Sequence, residues 1–390
     1  MLPLSVKQME RLKEWVRPCD VIPSDQWVNG MPDIATEING YEVQQQQVGD
    51  CSVLSSLAVA AHFELKSRYQ RRLISNHIYP QDKFGNPIYN PCGKYIVKLF
   101  VNGCWRGVEV DDYLPVNKYE QFLCAYSSRG KLWVSLVEKA YLKLHGGYDF
   151  QGSNSSRDLF VLTGWLPDKV KLEKCEDKAA LWSKIYRAYK NNDAMITIAT
   201  GVIQDEDQVG LVGNHAYGVL EIVECEGNRL LLVKNPWGHF RWRGKFSYGD
   251  KAWTPSLKQA LGYDNFSEDK GVFWITFEAV CAFFSHLDMN WNPDLLQYRK
   301  SFFDFWSSSE MQQGSGTLSL KDNPQYFINF GGTAASTMGE IICWVAISKL
   351  LVIHKDGSIE DEENSNDYIA MHVFTNPNKG MKLLSDKGCI

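Results

Sequence analysis

The spacing of apolar positions changes several times along the chain, and each change predicts an element. From Leu2 to about Val16 the apolar residues fall at helical spacing in a charged stretch, which predicts an amphipathic helix. A polar, proline-containing stretch follows to Gln47. From Cys51 the apolar positions Val53, Leu54, Leu57, Ala58, Ala61 and Leu65 lie three and four apart. They predict a helix buried on one face that starts at or just before the cysteine. Residues 93–115 alternate in two runs about Asn102-Gly103, a strong hairpin turn pair. Residues 131–148 return to helical spacing and stop at glycine, and a polar loop follows at 152–158. A domain boundary is expected near Thr163-Gly164.

The next block is richer in strands. Residues 194–200 predict one, and 215–225 with 229–237 predict two more, joined at Glu226-Gly227-Asn228. Residues 271–284 run from strand into helix. Beyond Asp294, short alternating runs surround an acidic loop at 360–367, which predicts part of an all-β sandwich. The fold class expected is α+β. The expected organisation is an N-terminal helical segment (1–22), a helix-rich lobe (23–163), a β-sheet lobe (164–292) and a sandwich (293–390), whose completeness the sequence leaves open.

Composition narrows the class of function. A chain of 390 residues, 44% hydrophobic and 22% charged, reads as a soluble globular protein of two or three domains. The net charge of −5, with one short basic run at 66–72, speaks against a nucleic-acid partner. No apolar run is long enough to span a membrane, and the amino terminus has no secretory h-region. The ten cysteines form no C-x-x-C pairs, a pattern of reduced cytosolic thiols rather than of a disulfide framework or zinc knuckle.

Three segments carry candidate chemistry: "QQQQVGDCS", "GNHAYGVLEI" and "KNPWGHFRW". Cys51 begins a helix, where unpaired N–H groups and the helix dipole favour thiolate. Taken alone it reads as a structural thiol. His215 begins a strand, and alone reads as a satisfied strand-end histidine. If the hairpin turn centres on Gly227, Asn235 faces Val219 and shares a sheet face with His215. Its carboxamide oxygen would then orient the imidazole without adding charge, and the Trp237 indole would exclude water from that bond. The plain alternative is a strand-terminating Asn-Pro turn with a core tryptophan. Together, a helix-initial Cys, a strand-initial His and an Asn on the adjacent strand are the parts of a cysteine-dependent acyl-transfer site, in the order of papain-like enzymes.

At these residues the sequence resembles the calpain protease core. "QQQVGDC", "HAYGVLEI" and "KNPWG" stand where calpains carry Q-x-x-x-G-D-C, H-A-Y-x-V and R-N-P-W-G, and "LWVSLVEKAY" is similar to another calpain stretch. Within the family the chain is most similar to the PalB-like branch. "EWVRP", "YNPCGKY", "GGYDFQGSNS", "NPQY" and Ser52, in place of the usual Trp, carry that likeness. The resemblance implies a papain-like two-lobed fold followed by a calpain-type sandwich. It implies Cys51 as nucleophile, His215 as acid and base, Asn235 as its orienter, Trp237 beside them, and Gln45 as the oxyanion-hole donor.

The resemblance also raises calcium. Arg241, Lys270 and Val272 stand where conventional calpains carry acids, so a second calcium site is expected to be absent. A weak first site would use Glu42 and Asp149. No cofactor is expected to be required, and activity is expected to depend weakly on calcium or not at all. The implied function is limited proteolysis of protein substrates in the cytoplasm or at endosomes. One alternative is a catalytically weak scaffold for endosomal-sorting (ESCRT) proteins. A transglutaminase-like acyl transferase is a more distant one, since that class expects Asp where Asn235 stands.

Overall fold

The computed structural model describes residues 2–67, 71–263, 271–296 and 298–303, with isolated positions 326, 344, 345 and 347. The chain divides into two compact units, one built on Met1–Gln297 with Leu351–Asp361 and the other on Tyr298–Leu350 with Glu362–Ile390. All elements below belong to the first. The expected sandwich of 293–390, including its acidic loop, lies almost wholly outside the described residues, as does Lys270.

The amino-terminal stretch differs from a single helix. Helix α1 (Val6–Arg11) opens with a capping box in which Ser5 Oγ accepts from Gln8 N and Gln8 Oε1 accepts from Ser5 N. It ends at Arg11, and Leu12–Val16 becomes strand β1, antiparallel to a strand at Leu114–Asn117. Pairing with that distant strand overrides the local helical spacing, because a short amphipathic helix is marginal without tertiary support.

Helix α2 (Cys51–Lys66) begins at the cysteine. It is buried around its whole circumference rather than on one face, with every residue from Ser52 to Glu64 buried. Its serines and alanines explain how. Ser56 Oγ donates to Ser155 O on one side, and on the other Ser55 Oγ donates to Ala216 O at 2.9 Å. Small side chains let two layers approach the same helix.

The hairpin forms as its Asn-Gly pair demands. β2 (Lys94–Val101) and β3 (Cys104–Asp111) pair from Lys94↔Asp111 to Val101↔Cys104, and Asn102 and Gly103 both have positive φ. It packs on helix α3 (Trp133–Leu144) and helix α4 (Ser155–Thr163), and with β4 (Leu114–Asn117) these share one core with α2.

The remaining strands form a six-stranded antiparallel sheet. They are β5 (Leu166–Lys171), β6 (Ala194–Thr200), β7 (Ala216–Cys225), β8 (Asn228–Lys234), β9 (Val272–Thr276) and β10 (Phe284–Trp291), in spatial order β9-β8-β7-β6-β10-β5. Both faces are covered. Leu220, Leu230, Leu232 and Trp274 join the core around α2, whereas Tyr217, Val219, Leu231 and Val233 join a second core under helix α5 (Lys178–Lys190). That is why "LLLV" (residues 230–233) is continuously apolar instead of alternating. The architecture is a mixed α+β arrangement in which α2 packs against β7.

Candidate active site

Three chain segments meet at the first turn of α2. Cys51 is its first residue and is partly exposed. The backbone N–H groups of Ala216 and Ser52 act to stabilise its thiolate form. Ala216 is the first residue of β7 and its carbonyl accepts from Ser55 Oγ on α2, so His215 stands one residue from a direct link to the cysteine helix. His215 is held at this strand end by its backbone. Its N–H donates to Thr200 Oγ1 at 3.1 Å, and its carbonyl accepts from Thr200 N at 3.0 Å.

The hairpin register brings Asn235 to His215, though by a route other than a turn centred on Gly227. The turn is two residues, Glu226 and Gly227, both with positive φ, so Cys225 pairs with Asn228. A bulge between Val219 and Glu221 shifts the register once more, to Gly218↔Lys234. Continued one residue, this register sets Asn235 against Tyr217 instead of Val219. The two one-residue shifts together preserve parity, so Asn235 and His215 keep the same face.

His215 Nε2 and Asn235 Oδ1 lie 2.8 Å apart, and both residues are buried. Asn235 Nδ2 donates to Phe240 O at 2.9 Å, which fixes the amide so that Oδ1 faces the imidazole. An amide oxygen only accepts, so Nε2 carries the hydrogen and Nδ1 keeps its lone pair. The Trp237 N–H also donates to Oδ1 at 3.0 Å. The Trp237 ring centroid is 4.8 Å from that of His215, and Tyr217 meets the imidazole edge-on at 4.9 Å. Gly271 makes the close approach possible, since a Cβ there would lie 2.6 Å from Asn235 O.

Gln45 joins the same neighbourhood. Its N–H donates to Pro236 O at 2.8 Å, and its Nε2 donates to Val48 O at 2.8 Å. Gln45, Cys51, His215, Asn235 and Trp237 are therefore brought together.

The electrostatics reverse one expectation. Burial pushes the Cys51 thiol up, and the Asp50 charge adds to this, outweighing the N–H groups of Ala216 and Ser52. Burial pulls His215 down to about 4, which the bond to Asn235 only partly offsets. The helix N-terminus alone therefore does not make a thiolate here. Burial thus disfavours the charged form of each group, the thiolate and the imidazolium.

Behind the thiol lies a feature that the motifs did not single out. Asp50, Glu138 on α3 and Asp158 on α4 are fully buried. Burial is the largest cause raising each carboxyl, and Asp50 and Glu138 also face each other. Two facing buried carboxyls favour a shared proton over two charges. Tyr141 and Ser153 donate to Asp158 Oδ1, each at 2.6 Å. The available signal was Glu138 itself, an acid amid the buried run Trp133–Leu142.

Glu42 and Asp149 are each engaged with other partners. Glu42 is 1% exposed, with Oε1 bonded to Lys131 Nζ at 2.9 Å and Oε2 accepting from Ser127 Oγ at 2.8 Å. Asp149 is exposed and accepts from Gln151 Nε2 at 3.0 Å. Among the described residues, no three His, Cys, Asp or Glu side chains cluster as metal ligands. The donor set at Glu42 is committed to an ammonium and a hydroxyl and does not fit the six to eight oxygens that calcium takes.

The family described as "Calpain family cysteine protease" matches residues 3–290. The chain is 38% identical to human Calpain-7 over 390 residues, covering 97% of this chain and 45% of that protein, and the mouse Calpain-7 matches equally. It is 34% identical to the calpain-like protease palB/RIM13 of Aspergillus oryzae over 401 residues, covering 98% of this chain and 44% of that one. The chain thus spans less than half the length of these relatives. It belongs to the calpain family of cysteine proteases, with relatives of the Calpain-7 and PalB kind.

Proposed function

We propose that this chain is the core of a calpain-type cysteine endopeptidase that cleaves protein substrates through Cys51, His215 and Asn235. The observation that carries the reading is the 2.8 Å bond between His215 Nε2 and Asn235 Oδ1, one residue from Ala216, whose carbonyl is bonded by Ser55 of the Cys51 helix. In this reading residues 23–163 and 164–292 are two papain-like lobes. Substrate lies extended between them, and 293–390 is a sandwich that docks substrate or partner.

The tautomer held by Asn235 sets which ring nitrogen moves protons. As the Cys51 sulfur bonds to the scissile carbonyl carbon, its proton passes to His215 Nδ1, and the carbonyl electron pair moves onto oxygen. The Gln45 amide and the Cys51 backbone N–H receive that oxyanion. Collapse breaks the C–N bond, and the leaving amine takes the proton from His215. Nδ1 then takes a proton from water as the water oxygen attacks the thioester. The acyl group leaves as a carboxylic acid, and the proton held by His215 returns to sulfur. Asn235 holds the imidazole through Nε2 in every step, so only Nδ1 exchanges protons.

Cleavage of fluorogenic peptides and of protein substrates by wild type and by Cys51→Ala tests this. Turnover by wild type and its loss in Cys51→Ala is the expected result. Equal turnover by both would place the chemistry elsewhere. A folded wild type without turnover would favour the non-catalytic scaffold.

A further inference from the structure

The segment that leads to the candidate nucleophile is held by a lysine. Lys131 lies just before α3, and its place is fixed by its neighbours, because Leu132 N donates to Asp33 O and Trp133 N to Ile34 O, each at 3.0 Å. From there its side chain turns inward and is only 10% exposed. Its ammonium bonds Glu37 O at 2.5 Å and Glu42 Oε1 at 2.9 Å. It thus pins both ends of the 37–42 loop. Arg129 Nη1 is a more distant and exposed neighbour of the same carboxylate, at 3.8 Å.

The residues just after Glu42 run directly into the site. Glu42 O accepts from Ser128 N, and Val43–Gln44 pairs antiparallel with Tyr126–Ser127. Gln45 comes next, with its N–H on Pro236 O in the loop that carries Asn235 and Trp237. Two links cross from this segment to the sheet, the second being Lys234 Nζ on Tyr41 O at 3.0 Å. The Lys131 contacts and the Gln45 side chain therefore sit on one short run of backbone. A shift of the 37–42 loop carries Gln45 with it.

We propose that Lys131 is a built-in cation that positions Gln45, filling at Glu37 and Glu42 the place that a calcium ion would take. A tethered ammonium neutralises the buried Glu42 carboxylate and bridges it to a backbone carbonyl, the two tasks a hard cation performs with oxygen ligands. It carries no dissociation equilibrium, so the loop is ordered without metal. Removing one partner of a buried pair leaves an uncompensated charge, which makes the site sensitive to loss of Lys131. The role for Gln45 rests on the proteolytic reading above. The cation replacement does not, and it can be read from stability alone.

The test compares the full chain with Lys131→Ser, which opens space and removes the charge, and Lys131→Arg, which keeps it. Thermal unfolding with chelator and with millimolar calcium is measured alongside the rate of Cys51 alkylation by an epoxysuccinyl peptide. Wild type should show the same melting temperature with and without calcium. Lys131→Ser should melt several degrees lower in chelator, recover part of that loss in calcium, and label Cys51 about tenfold more slowly. Lys131→Arg should restore both. A wild type stabilised by calcium would overturn the cation replacement, and a Lys131→Ser protein that labels Cys51 at the wild-type rate would overturn the positioning of Gln45. Failure of all variants to cleave peptides, with the stability pattern intact, would count against the proteolytic reading and leave the cation replacement standing.

Discussion

His215 Nε2 meets Asn235 Oδ1 at 2.8 Å, and the same oxygen accepts the Trp237 backbone N–H at 3.0 Å. One carboxamide oxygen thus ties the imidazole to the turn that ends β8. The bond selects the Nε2–H tautomer and leaves Nδ1 as the base. Asn235→Ala removes the tie while keeping Cys51 and His215. The expected outcome is a loss of roughly 10²-fold in kcat, with a much smaller change in KM. Steady-state kinetics on a peptide substrate check this, and an unchanged kcat would remove Asn235 from the mechanism.

The buried, neutral imidazole also gives the fold a pH signature. Burial pulls His215 from its ordinary 6.5 to about 4. Between those values the unfolded chain binds a proton that the folded chain does not, so stability is lost as pH falls through the window. His62, His77 and His286 are lowered to about 4 by burial as well. Asp158 and Asp288, raised by burial to about 6, act in the opposite sense. The His215 share is therefore read from a difference. The melting temperature of wild type minus that of His215→Gln should be larger at pH 7.5 than at pH 4.5, by an amount equivalent to about 3 kcal/mol. A pH-independent difference would mean that His215 titrates in the folded state as it does unfolded.

Contact between α2 and β7 depends on Gly218. A Cβ there would lie 2.9 Å from Val59 Cγ2 and 3.0 Å from Ser55 O, and Ser55 also bonds Ala216. Gly218→Ala forces the cysteine helix away from the histidine strand. Overpacking of this kind costs about 1–3 kcal/mol, and the separation should slow alkylation of Cys51 as well. Thermal melting and labelling rates on the same preparation check both effects. A variant as stable and as reactive as wild type would show that the two layers are not held by this contact.

Much of this arrangement was legible in the sequence because it obeys local rules. Asn102-Gly103 fixed a hairpin, and helical spacing after Cys51 fixed a helix start. Parity along the 215–235 hairpin put His215 and Asn235 on one face even though the turn was misplaced and the bulge was not foreseen. The features that were not legible depend on distant partners. Leu12–Val16 takes its strand form from Leu114–Asn117. The full burial of α2 comes from packing against both α4 and β7. The upward shift of the Cys51 thiol comes from burial and from Asp50, neither of which a helix-terminus argument contains. Lys131 gave no motif, since its partner Glu42 lies 89 positions away.

The most direct measurement is site-mapped alkylation by an epoxysuccinyl peptide, read by mass spectrometry on the folded chain. Cys92 and Cys104 are exposed and act as internal controls, whereas Cys51 is half-buried. The account predicts that Cys51 is labelled far faster than either control and that His215→Ala abolishes the preference. Labelling at Cys92 and Cys104 with Cys51 untouched, on a protein that melts cooperatively, would contradict it.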